Sequence, residues 1–193
     1  WSAPVMQRHH LLPFLLFCVN ALGAQTLQEI PDFGPNPGKL RMFVHAPPSI
    51  DGCATPLPLV VALHGCGQSA ADLVMISGWD KLADLRDFIL LCPEQRGANN
   101  VSHCFNWFRP KDAMGTHGEA ASILGMIDAV RSRWPIDTGH VFIYGVSAGA
   151  AMAVDLMAGH PELFKAGASI AGGPFLGDVN AFEALRAMIS PKD

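Results

Sequence analysis

The sequence has little charge and no basic stripe. Only 16% of its residues are charged, and 13 basic against 17 acidic side chains leave a net −4. A nucleic-acid partner would need a positive footprint, so none is expected. There is no CxxC pair, and His64 with Cys66 lacks zinc-ligand spacing, so neither a metal site nor a cofactor is expected. No internal repeat occurs, and the 19 glycines and 15 prolines are scattered, which excludes a low-complexity chain. The one apolar run near the N-terminus, Leu11 to Ala21, is interrupted by Asn20. It is shorter than the ~20 residues of a membrane-spanning helix, so the mature chain is not expected in a membrane.

What is present suits one globular domain: 193 residues, half of them hydrophobic. Residues 1–24 differ from the rest. Met6 to His10 is a short basic start, Leu11 to Ala21 is apolar, and Ala21-Leu22-Gly23-Ala24 offers small residues for cleavage. This is the layout of a secretory signal peptide, with Trp1 to Val5 as upstream leader, and it predicts a secreted protein. Cys18 would leave with the signal. Cys53, Cys66, Cys92 and Cys104 then remain. In an exported protein they could form two disulfides in any of three pairings, or stay as buried thiols.

From residue 25 onward, short apolar runs alternate with helical patterns. Residues 25–37 read as an irregular lead-in, and Gly38 to Ala46 as an edge strand. Leu59 to Leu63 reads as a strand buried on both faces. Ser69 and Asp72 form a capping-box pair that opens a helix, which Gly78 divides. Phe88 to Cys92 is a second buried strand, and residues 94–116 are a long loop rich in Asn, Gly and aromatics. Thr116 and Glu119 read as a capping box for the next helix. Val141 to Tyr144 is a third strand, Ala148 to Ala158 a small-residue helix, Ala166 to Ala171 a fourth strand and Val179 to Met188 a last helix. Such alternation calls for a mostly parallel sheet with helices on both faces.

Gly145-Val146-Ser147-Ala148-Gly149 stands where a buried strand meets a helix. That is the context in which GxSxG makes a nucleophile elbow. Glycines let the turn close, and the serine is thrown out at the top of the sheet. The helix start adds N–H groups and positive potential for an oxyanion. His64-Gly65-Cys66-Gly67 follows another buried strand, where an α/β-hydrolase builds its second oxyanion donor. The backbone N–H groups of Cys66 and Ala148 are the candidates. His64 itself reads as a structural histidine. Cys104-Phe105-Asn106-Trp107-Phe108 is either an exposed aromatic cluster beside the serine or a part of the core.

Six motifs in this order carry a wider resemblance. They are Leu63 to Gln68, Cys92-Pro93-Glu94-Gln95, Cys104 to Phe108, Gly118 to Ile123, Gly145 to Gly149 and Ile170 to Phe175. Together they resemble the poly(3-hydroxybutyrate) depolymerase family of esterases, related to feruloyl and acetylxylan esterases, over residues 40–190. The resemblance implies an α/β-hydrolase fold with Ser147 as nucleophile and the Cys66 and Ala148 amides as oxyanion hole. It also implies that Trp107, with Asn106, lies at the acyl-chain subsite, and that Cys66 is bridged to Cys104. The substrate would be a polyester or related ester. A feruloyl or acetylxylan esterase, or a polymer-binding remnant without catalysis, is the alternative.

In this fold the triad acid and base follow the serine in the chain. The only histidine after Ser147 is His160. It lies 13 residues along the same helix, about 20 Å away, beyond the ~3 Å reach of a general base. No later acid follows a further apolar strand. The expectation is a partial catalytic domain over residues 25–193, with the last strands and the triad Asp and His missing, and with little esterase activity by itself.

Overall fold

The computed structural model describes residues 27–50, 55–115 and 117–173. The expected signal segment, Cys53, Thr116 and the expected helix over Val179 to Met188 lie outside them.

The strands and helices alternate as their apolar patterns require. In chain order they are β1 (Gln28–Glu29), β2 (Arg41–His45), β3 (Leu57–Leu63), α1 (Ala70–Ser77), α2 (Trp79–Arg86) and β4 (Ile89–Glu94). There follow α3 (Pro110–Ala113), α4 (Gly118–Arg133), β5 (Ile136–Val146), α5 (Ala148–Gly159) and β6 (Ala166–Ile170). The six strands form one sheet in the order β1-β2-β4-β3-β5-β6. β4, β3, β5 and β6 run parallel, while β2 and β1 join antiparallel at one side.

Side chains alternate across β3 and split the core into two layers. Leu59, Val61 and Leu63 pack with Ile123, Ile127 and Met152 from α4 and α5 on one face. Val60 and Ala62 pack with Leu73, Val74 and Ala83 from α1 and α2 on the other. β3 is thus covered on both sides, which explains its unbroken apolar run.

The helix starts show local chemistry that works in one place and not in another. Ser69 Oγ accepts from Asp72 N–H at 3.1 Å, and the Asp72 carboxylate accepts from Ser69 N–H at 2.9 Å. Gly78, with φ +69°, ends α1 and starts α2. At α4 the capping residue is His117, without a side-chain cap, and Glu119 turns its carboxylate elsewhere. Two further expectations change. β2 is not an edge strand, because two residues of the lead-in pair with it as β1. The long loop after β4 contains a helix, α3, with Pro110 in its first turn.

Candidate active site

β5 runs into α5 with one residue between them, and that residue is Ser147. Its φ of +56° and ψ of −122° lie where a side chain is strained. The turn is held from both sides by backbone bonds. Ser147 N–H donates to Ile170 O at 2.8 Å, and Ser147 O accepts from Ala150 N–H at 2.9 Å. The Ser147 side chain makes no capping hydrogen bond to α5. Both flanking glycines are required by space. A β-carbon at Gly145 would collide with the Gly149 carbonyl, and one at Gly149 would stand 2.5 Å from the carbonyl oxygens of Leu63 and His64. Ala148 opens α5, so its N–H is among those that a helix leaves without an internal partner.

β3 and β5 are neighbours, with Leu63 opposite Gly145, so the loop after β3 rises beside the elbow. A β-carbon on Gly65 would stand 3.4 Å from Ser147 Cβ, which brings Gly65 against the serine. Gly65 N–H donates to Gln68 Oε1 at 2.8 Å, and Gly67 N–H to Ser102 O at 2.8 Å. Gly67 has φ +72°. A disulfide joins Cys66 to Cys104 and ties this loop to the long one after β4. Cys92 is a buried free thiol, and its burial pushes its pKa up.

His64 is fully buried and packs against Phe105, with ring centroids 4.9 Å apart and the planes tilted by 43°. Nδ1 lies 2.8 Å from Gly65 O, and Nε2 accepts from Gln95 N–H at 3.0 Å. Burial holds its pKa below the usual histidine range, so the ring is neutral. Both nitrogens are occupied, as befits a structural histidine.

The sequence reading missed the part of Glu119. Its carboxylate is buried at the start of α4 and accepts from Asn106 N–H at 2.7 Å, from Asn106 Nδ2 and from Gln95 Nε2 at 2.6 Å. Burial pushes its pKa up to about 6 against the pull of those donors. The available signal was an acid beside Ala120 and Ile123 on an otherwise buried helix face. Asn106 accordingly has its amide nitrogen on Glu119 and its oxygen on Asn100 Nδ2, at 3.0 Å. Phe105, Trp107 and Phe108 are buried, so the aromatics close the core and form no exposed cluster. The far edge of the Trp107 ring lies 3.4 Å from where a β-carbon on Gly173 would stand.

His160 caps the far end of α5, with Nδ1 3.6 Å from Glu162 Oε1. It stands a full helix length from Ser147. His45 pairs with Asp84 and His140 with Asp137, each at the distance of a hydrogen bond. Among the described residues no cluster of three His, Cys, Asp or Glu side chains is placed to hold a metal ion. Among them, too, no helix is long and apolar enough to cross a membrane.

Residues 42–191 match the family described as Esterase PHB depolymerase. The chain belongs to that family. Among relatives of the PHB depolymerase esterases, poly(3-hydroxyalkanoate) depolymerase C of Paucimonas lemoignei is 41% identical over 161 residues, 83% of this chain and 38% of that protein. Feruloyl esterase B of Thermothelomyces thermophilus is 32% identical over 165 residues, 85% of this chain and 54% of that one. In three dimensions the acetyl xylan esterase from Aspergillus awamori superposes with a TM-score of 0.68 at 28% identity, covering 77% of this chain and 53% of that one. The chain thus spans between about two fifths and just over half of the length of the relatives it matches. The α/β-hydrolase fold of the PHB depolymerase esterases is the fold described above.

Proposed function

We propose that this chain carries the nucleophile and oxyanion hole of a secreted serine esterase acting on poly(3-hydroxybutyrate) or related hydroxyalkanoate esters. The observation that carries the reading is Ser147 at φ +56°, on a turn closed by two glycines, with Gly65 packed against it. Ser147 Oγ attacks the ester carbonyl. The N–H groups of Cys66 and Ala148 stabilise the tetrahedral oxyanion, the alcohol leaves, and water releases the hydroxy acid from the acyl-enzyme. Trp107 lies toward the acyl-chain subsite, and Asn106, held on Glu119, supports that wall.

Attack requires a base to take the hydroxyl proton. His160 is too far along α5, and His64 has both nitrogens occupied. The α/β-hydrolase chain order of Ser, then acid, then His puts the base and its acid partner later in the fold than Ser147. The Cys66–Cys104 disulfide supports secretion, since such bonds persist in oxidising compartments.

The greater identity to the polyhydroxyalkanoate depolymerase than to the feruloyl esterase favours the polyester. The test is Ser147-dependent clearing of a poly(3-hydroxybutyrate) film. Release of ferulate from arabinoxylan, without clearing, would replace the polyester with a plant cell-wall ester. Covalent labelling by a fluorophosphonate probe, lost in Ser147→Ala, checks the nucleophile separately from the substrate.

A further inference from the structure

A backbone amide serves an oxyanion only if its peptide faces the reacting carbonyl. In the loop after β3 the peptide in question joins Gly65 to Cys66. Its carbonyl oxygen lies 2.8 Å from Nδ1 of His64 and also accepts, at the longer distance of 3.3 Å, from Gln68 N–H. A carbonyl can only accept, so Nδ1 must carry the proton. The other nitrogen agrees: Gln95 N–H points at Nε2 at 3.0 Å, and a donor there requires a bare lone pair. The two bonds select one neutral tautomer from opposite sides of the ring.

Gln95 is itself fixed. Its Nε2 donates to Glu119 Oε1 at 2.6 Å and to Cys104 O at 3.0 Å, and its Oε1 accepts from Arg96 N–H at 2.9 Å. The backbone N–H that sets the His64 tautomer is thus anchored to α4 and to the disulfide-bearing loop. In a trans peptide the carbonyl and the N–H point in opposite directions. With the Gly65 carbonyl turned onto a fully buried ring, the Cys66 N–H is turned away from the core. Gly65 is also the residue packed against Ser147.

We propose that His64 is a positioning residue for catalysis: its Nδ1–H holds the Gly65–Cys66 peptide with the Cys66 N–H on the Ser147 side, in the tautomer that Gln95 selects. A flipped peptide would aim the Cys66 N–H at the Nδ1–H and present a carbonyl to the oxyanion. The catalytic part of this inference rests on Cys66 as an oxyanion donor; the peptide lock does not.

The experiment has two arms on the full chain. In ¹⁵N-labelled wild-type protein, NMR should show His64 protonated on Nδ1 and a scalar coupling across the hydrogen bond from Gln95 N–H to Nε2. A proton on Nε2, or a charged ring at neutral pH, overturns the lock. The second arm measures hydrolysis of p-nitrophenyl butyrate by wild type, Ser147→Ala, His64→Gln and His64→Asn. Glutamine can still accept from Gln95 but brings no donor to the Nδ1 position, whereas asparagine can place its amide nitrogen there. His64→Gln should lower kcat ~10–100-fold, short of losing an oxyanion donor outright, with KM nearly unchanged. His64→Asn should recover most of that loss. Equal losses in the two variants, or a loss confined to KM, overturn the positioning role. If a fluorophosphonate probe labels Ser147→Ala as fast as wild type, the esterase reading fails, and the NMR arm alone decides the peptide lock.

Discussion

Gly149, in the first turn of α5, lies against the carbonyl oxygen of His64, the residue that follows β3, so closely that a β-carbon would stand 2.5 Å from it. The elbow and the oxyanion loop are therefore in backbone contact. Gly149→Ala must push them apart, and overpacking of this kind costs ~1–3 kcal/mol. The expected result is a lower urea midpoint together with slower fluorophosphonate labelling of Ser147. Unchanged stability would show that the loop yields cheaply.

Ser147 holds a backbone conformation that glycine adopts freely, and strain of this kind is worth ~1–3 kcal/mol. Its hydrogen bonds to Ile170 and Ala150 are made by the backbone, so they survive substitution. After the entropic cost of a glycine, Ser147→Gly should gain ~1 kcal/mol, a rise in Tm of about 2–4 °C for a chain of this size. Ser147→Ala keeps the strained Cβ and should show no such rise. Equal melting temperatures for the two variants would mean that the turn stores nothing.

The Cys66–Cys104 disulfide spans 38 residues of sequence. Loop-closure entropy puts its contribution at about 4 kcal/mol. Reduction, or the double change of Cys66 and Cys104 to alanine, should lower stability by an amount of that order. It should also raise hydrogen exchange at the Gly67 amide, which is bonded to Ser102 across the bridge. A destabilisation below ~1 kcal/mol would show that the two loops hold each other without it.

Two buried groups give opposite pH dependences. The Glu119 pKa is raised from 4.5 to about 6, chiefly by burial, so the folded state binds that proton more tightly than the unfolded chain. Its stabilising effect is present below pH 4.5 and is lost as pH rises through 6, by about 2 kcal/mol at 1.36 kcal/mol per unit. The His64 pKa is lowered by burial, so only the unfolded chain takes up its proton near 6.5. Its contribution is present above that pH and is lost as pH falls. The stability difference between wild type and Glu119→Gln should therefore shrink from pH 4.5 to 6 and level off above. A difference that stays constant over that range would contradict the raised pKa.

The parts of the site that were legible in the sequence are those whose cause is local. The glycines of the elbow stand where a β-carbon has no room, and β3 is apolar throughout because helices cover both its faces. Ser69 and Asp72 cap α1 as their three-residue spacing predicts. The same spacing misled at Glu119. Its donors come from Gln95 and Asn106, on a loop that no periodicity describes. The aromatics at 105–108 were ambiguous for the same reason, since a loop has no repeat to say which side faces the core. β1 escaped notice because two paired residues, Gln28 and Glu29, leave no alternation to detect.

The ladder between β3 and β5 pairs Leu59 with Val141 and continues in step to Leu63 and Gly145. The spacing between elbow and oxyanion loop is thus inherited from main-chain hydrogen bonds and owes little to any one side chain. The loop after β4 joins this frame through a disulfide, a histidine, a few amides and the buried rings of Phe105, Trp107 and Phe108. Evolution can therefore rework the exposed positions between Arg96 and His117 to suit a new ester, while the buried residues 105–108 and the disulfide hold the reacting geometry as it is. A laboratory library confined to those exposed positions, such as Ala98, Val101, His103 and Arg109, would vary specificity with the least risk to the chemistry.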